Sequence, residues 1–349
     1  MAGLLERLQI PPPDRSAMQL ARRRQRQLTK PPGSLGRLEE LAVRLAGLTA
    51  SPLPVLDRKV VFVLAADHGV ARQGVSAYPQ AVTAQMVANF LAGGAAINAL
   101  ARAAGARVVV ADFGVISPPA HPELRTYSLG PGTADFTAGP AMTREQALDA
   151  VQGGIDLVES ELGAGLDLVG TGEMGIGNTT AAAAVVCALL GVPPERTVGR
   201  GTGLDREGVR RKARVVEVAL GRNRPDPADP LDVLCKVGGF EIGGLVGVIL
   251  GAAARRKPIV LDGYITGAAA LLAVRLCPAA RPYLLASHRS AEPGHRLVLR
   301  ALGLRPLLDL GMRLGEGTGA ALAFLLVDAA LRAHREMRTF AEAGVSDRQ

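Results

Sequence analysis

The sequence predicts an α/β fold, a mostly parallel sheet with helices on both faces, joined to a small helical domain. Three observations carry this. Short, almost wholly apolar runs occur at 60–65 (VVFVLA), 107–111 (RVVVA), 166–169 (LDLV), 258–261 (PIVL) and 283–285 (YLL). Such runs suit strands covered on both faces. Helical runs alternate with them at 81–102, 143–162, 179–190 and 268–276, the alternation of parallel βαβ units. Polar and Gly-rich residues follow the strands, at 66–69 (ADHG), 170–180 (GTGEMGIGNTT), 262–264 (DGY) and 287–290 (SHRS). Open parallel sheets bind ligands in loops at those carboxyl ends.

Taken in order, residues 18–28 are charged and periodic, and GRLEELAVRLAG at 36–47 has an apolar face at i, i+3, i+4. The loop KPPGS at 30–34 breaks the two helices. The α/β domain is expected over 55–305. Segments 1–50 and 306–349, helical again from 311 onward, are expected to pack together as a discontinuous small domain. PDPADP at 225–230 reads as a surface turn.

Composition narrows the function. The 349 residues are 48% hydrophobic and 21% charged, enough for a sizeable core. Aromatics are only 3%, with no Trp, which argues against a stacking surface for single-stranded nucleic acid. The formal charge is +8, from 40 basic and 32 acidic residues, dispersed and densest at 206–214. A small anionic substrate uses such charge better than a nucleic acid does. Cys187, Cys235 and Cys277 form no C-x-x-C pair, the pattern of reduced thiols in a cytoplasmic protein. The amino-terminal MAGLLERLQIPPPDRS does not read as a signal peptide. The apolar stretches 242–254 and 320–330 fall short of a membrane span.

Four segments carry chemistry. In 170–180, glycines allow close backbone approach and a helix start offers free N–H groups, so Gly175, Gly177, Asn178 and Thr179 read as a phosphate or carboxylate cradle. The same segment matches G-x-G-x-x-G, so a dinucleotide-dependent oxidoreductase stays open; Glu195, near the required spacing, sits in a loop rather than closing a strand. In RLGEGTG at 313–319, Glu316 is a glycine-flanked carboxylate that desolvation would turn into a base working near neutrality. In 199–205, Asp205 reads as an N-cap, with Lys212 two turns into the next helix as a phosphate-seeking cation. In SHRSAEPGH at 287–295, His288, Glu292 and His295 have a metal-like spacing, but Pro293 and Gly294 interrupt it, and the serines and Arg289 suit phosphate or sugar better. Asp67-His68 reads as an acid/base pair or a hydrogen-bonded turn.

Together these segments resemble the nicotinate-nucleotide–dimethylbenzimidazole phosphoribosyltransferases. The resemblance runs over nearly the whole chain, through KPPGSLGRLEELA (30–42), ADHGV (66–70), SAYPQAVTAQM (76–86), GTGEMGIGNTT (170–180), KVGGFEI (236–242), LDGYITGAAAL (261–271), PYLLASHRSAEPG (282–294) and MRLGEGTGAALA (312–323). It implies a Rossmann-like large domain, a small helical domain and a homodimer whose partner completes the site. It implies that a nitrogen of 5,6-dimethylbenzimidazole, or a related base, attacks C1′ of nicotinate mononucleotide. Nicotinate leaves and α-ribazole 5′-phosphate forms, with no metal or redox cofactor required. Glu316 stands at the position of the catalytic base and Glu173 at that of a second active-site acid. Gly175, Gly177, Asn178, Thr179, Lys212 and Ser287 would hold phosphate and ribose, with Ser290, Arg313 and Leu314 beside them. The sequence departs from the family where Ser and Gln are common: Tyr78 and Met86 stand there, with Gln85 one position earlier. These residues would line the base pocket, Tyr78 and Met86 as an apolar wall suited to a methylated ring. A protein of this fold that binds a phosphorylated ligand without turnover stays open as a third reading.

Overall fold

The computed structural model describes residues 8–346; positions 1–7 and 347–349 of the expected small helical domain lie outside the described residues. Six parallel strands form one sheet: β1 (Lys59–Ala66), β2 (Ala106–Gly114), β3 (Arg125–Thr126), β4 (Leu168–Met174), β5 (Ile259–Leu261) and β6 (Leu284–Ala286). Their spatial order is β3-β2-β1-β4-β5-β6. The chain builds outward from β1 to β3, then crosses back to lay β4 on the other side of β1. The reversal point therefore lies between β1 and β4, where open α/β sheets bind ligands.

Alternation along β1 sends side chains to opposite faces. Val60, Phe62 and Leu64 join a core with α5 (Arg144–Leu162), α6 (Asn178–Leu190), α9 (Phe240–Ala254) and α10 (Tyr264–Leu276). Val61, Val63 and Ala65 join a second core with α2 (Arg37–Thr49), α3 (Val82–Leu91), α4 (Ala96–Ala103) and α12 (Thr318–Glu336). Helix α1 (Arg15–Gln27) packs on α2 through Ala21, Val43 and Ala46. The flanking segments thus sit on the sheet through α2 and α12. The other helices are α7 (Arg206–Asn223), α8 (Pro230–Val237), α11 (His295–Leu302) and α13 (Phe340–Ala343).

Two expected elements differ. β4 runs to Met174 rather than ending at 169, so GTGEM is strand, not loop. Glycine is normally scarce in strands. Here it is required: a Cβ on Gly172 would lie 2.5 Å from the Glu316 carbonyl oxygen. The helix expected over 81–102 is two helices, split at Gly93, whose φ of 76° is left-handed. Val82–Ala103 passes as a membrane span by length and hydropathy. Its pieces of 10 and 8 residues reach only about 15 Å and about 12 Å, half the hydrocarbon thickness or less. PDPADP runs into α8: Pro230 is its first residue and Asp229 its N-cap, whose carboxylate accepts from Leu231 and Asp232 N–H.

Candidate active site

At the end of β4 the chain turns through Gly175-Ile176-Gly177 into α6. A side chain on Gly175 would overlap the Ala66 carbonyl, so the turn tolerates only glycine there. Ile176 N–H donates to Thr83 Oγ1 at 3.1 Å, fixing the turn to α3. Beside it lies a cavity of about 700 Å³ at the sheet reversal. Tyr78, Val82 and Met86 form an apolar wall; Asn178, Thr179, Gly201 and Thr202 form a polar end; Glu173 and Glu316 face it together.

The acids are unusually placed. Glu173, near the end of β4, is buried; burial first, then the charges of Asp262 and Glu241, push its carboxyl up to about 8. Asn178 Nδ2 donates to it. Asp262 follows β5, and its carboxylate accepts from Gly319 N–H at 2.7 Å and Gly317 N–H at 3.2 Å, capping α12. Burial pushes Asp262 up to about 7 against those bonds. This cap fixes the loop that carries Glu316, whose φ of 64° is left-handed. Such a conformation in a non-glycine residue is costly and recurs at functional sites. Glu316 is 7% exposed, and its Oε2 has no hydrogen-bond partner among the described residues. Burial raises its carboxyl, opposed by the Ile97 N–H. A carboxyl oxygen with no donor, at a cavity wall, is the arrangement of a base awaiting a proton.

The polar end is anchored from behind. Lys212 on α7 is fully buried, and its Nζ donates to Thr179 Oγ1 at 2.6 Å. Burial pushes its ammonium down to about 8, against the pull of Glu292. Gly201 is held on both sides: its N–H donates to Glu292 Oε1 at 3.0 Å, and its carbonyl accepts from Arg313 at 2.8 Å. Thr202 Oγ1 meets Ser76 Oγ at 3.0 Å and accepts from Ala77 N–H at 2.9 Å, tying the Tyr78 loop to this end.

The structure brings most expected residues to one cavity. Tyr78, Met86, Glu173, Gly175, Asn178, Thr179, Ser290, Arg313, Leu314 and Glu316 all line it. Four do not. Gln85 is exposed on α3, because a helix turns about 100° per residue and Met86 takes the inward position. Gly177, with a left-handed φ of 99°, packs against His68 and Ala71 rather than the cavity. Lys212 acts through Thr179. Ser287 is buried, donates to the Asp262 carbonyl at 2.8 Å and meets His288 Nδ1 at 3.0 Å. Asp67-His68 is a turn: His68 Nε2 meets Glu241 Oε1 at 2.8 Å, and Asp67 accepts from Ile116 N–H at 2.8 Å. His295 Nδ1 accepts from Ser290 N–H at 2.9 Å, and burial pushes its imidazole down to about 3, so it shapes the loop as a neutral acceptor. Among the described residues no group of three or more His, Cys, Asp or Glu is arranged to hold a metal. Sequence reasoning did not single out Val82 or Thr202; it placed Asp262, His288 and Glu292 in segments after strands but gave them no role in holding substrate. For Asp262 the signal was its place directly after a strand, and for His288 its place two residues after one.

Residues 10–345 match a family described as phosphoribosyltransferase. A protein of Roseiflexus sp. (strain RS-1) named nicotinate-nucleotide–dimethylbenzimidazole phosphoribosyltransferase is 59% identical over 97% of this chain and 96% of its own. One of the same name from Chloroflexus aurantiacus is 59% identical over 97% of each chain. The crystal structure of the phosphoribosyltransferase of that specificity from Thermus thermophilus superposes with a TM-score of 0.91 at 51% identity, covering 96% of this chain and all of its own. With agreement in sequence and fold over almost the full length, the chain belongs to the nicotinate-nucleotide–dimethylbenzimidazole phosphoribosyltransferase family.

Proposed function

We propose that the chain transfers the 5-phosphoribosyl group of nicotinate mononucleotide to 5,6-dimethylbenzimidazole, giving α-ribazole 5′-phosphate and nicotinate for cobalamin assembly. The observation that carries the reading is Glu316: a desolvated carboxylate with one unpartnered oxygen, between an apolar wall and a phosphate-sized polar end. The aromatic acceptor lies against Val82, Met86 and Tyr78. The 5′-phosphate sits at the start of α6, against Thr179 and the Gly201–Thr202 backbone, with Lys212 charged behind it.

The chemistry follows. The acceptor nitrogen forms its bond to C1′ on the face opposite the leaving group. The C1′–nitrogen bond to the pyridinium breaks, and its electron pair neutralises the departing ring. The acceptor's other nitrogen gives its proton to Glu316. Positive charge developing on the ribose faces the side-chain oxygens of Glu316 and Glu173 at the cavity wall. Glu173, largely protonated at pH 7, is a hydrogen-bond partner for the ribose rather than a competing base. Two copies pair so that the partner closes the mouth; Tyr78 and Leu314 at the rim are 57% and 59% exposed, an apolar edge that such closure would bury. The enzyme works in the cytoplasm, where its three free thiols stay reduced.

Incubation with both substrates, with chromatography for nicotinate and α-ribazole 5′-phosphate, tests this. Stoichiometric formation of the two products is expected. Tight NAD binding with no nicotinate release would establish the oxidoreductase reading, and binding without turnover the sensor reading.

A further inference from the structure

A second cavity, of about 580 Å³, lies behind the phosphate end of the first, and Glu292 and Arg313 line both. Four guanidinium groups line it: Arg200, Arg206, Arg210 and Arg313. None of the four is ion-paired among the described residues, whereas Arg58, Arg107, Arg125, Arg144, Arg255 and Arg289 all face carboxylates. Four exposed guanidinium groups without ion-pair partners border one hollow, an arrangement a multiply charged anion would complement. Among the described residues the only acid on the wall is Glu292. Its Oε1 accepts from the Gly201 N–H, and its second oxygen, Oε2, is buried without a partner among the described residues.

The geometry points to this cavity as a second anion site, for an oligophosphate, coupled to the nucleotide site through Gly201. Both groups that clamp Gly201, Glu292 on its N–H and Arg313 on its carbonyl, belong to the arginine cavity. A Cβ on Gly201 would lie 2.9 Å from Thr179 Oγ1 and 3.0 Å from Lys212 Nζ, so this residue packs directly against the proposed phosphate anchor. An anion that draws Arg313 away from Gly201 loosens that anchor, so the two sites oppose each other while both remain occupiable. The coupling rests on the nucleotide site proposed above; the binding of the anion does not.

Inorganic pyrophosphate is the probe, at fixed ionic strength, with the full chain. In calorimetry one pyrophosphate is expected to bind per chain with nicotinate mononucleotide saturating. In turnover, the nucleotide KM is expected to rise to a plateau about 5-fold above its starting value. The Arg206→Ala/Arg210→Ala double variant should keep its basal kcat and KM while pyrophosphate binding weakens about tenfold or more. A KM that climbs without a plateau, full displacement by the mononucleotide, or equal binding to the double variant would place the anion in the catalytic cradle and overturn the proposal. So would absence of binding. Because calorimetry needs no turnover, failure of the catalytic reading is seen separately.

Discussion

Replacing Glu173 by glutamine should make the protein more stable, and only at high pH. In the fold its carboxyl stands near 8 instead of 4.5, chiefly because burial strips its water. The folded state therefore keeps a proton that the unfolded chain releases between those values. Stability is full below about 4.5 and declines as pH rises toward 8. Each pH unit is about 1.4 kcal/mol, so the interval from pH 5 to pH 8 removes up to about 4 kcal/mol. Asp262 and Glu316 relax when one charge is taken from the cluster, which leaves about 2–4 kcal/mol attributable to the substitution. Glutamine keeps the shape and an oxygen for Asn178 Nδ2 but has nothing to ionise. Urea unfolding at pH 5 and pH 8 measures the effect. The variant and the parent should match at pH 5, and the variant should unfold at about 1 M higher urea at pH 8. Equal midpoints at both pH values would refute the desolvated-acid account of this residue.

Other outcomes follow from the same geometry. Lys212→Ala should raise the nucleotide KM about tenfold and lower kcat less. Because burial holds Lys212 near 8, the parent KM should itself climb as pH passes 8; a flat KM to pH 9 would reject the anchor. Gly172→Ala drives a Cβ against the Glu316 backbone. It should destabilise by about 1–3 kcal/mol in thermal unfolding and reduce kcat more than KM; native-like activity would contradict the contact. Met86→Ala should lower the preference for dimethylbenzimidazole over benzimidazole by about tenfold in competition assays, and an unchanged ratio would remove Met86 from the acceptor wall.

The apolar runs around 60–65 and 107–111 disclosed β1 and β2, because strands covered on both faces are built mostly of apolar residues. The reach of β4 did not show in the sequence. Gly170 and Gly172 look like a loop until α12 and the Glu316 backbone are seen pressing on them. Glu316 was legible through its flanking glycines, but its missing hydrogen-bond partner is a three-dimensional fact. Asp262 was legible only as a polar residue after a strand. Its work, capping α12 from 55 and 57 residues away in sequence, leaves no local pattern. Gln85 and Met86 are adjacent in sequence, and only the helix phase separates the wall from the surface.

The most direct test of the account is the rate of nicotinate release by Glu316→Gln, measured in a single turnover with nucleotide binding followed in parallel. The rate should fall by about 10²–10⁴-fold, while affinity for nicotinate mononucleotide stays within a few-fold of the parent. A variant that releases nicotinate within about threefold of the parent rate would show that the acceptor's proton leaves by another route.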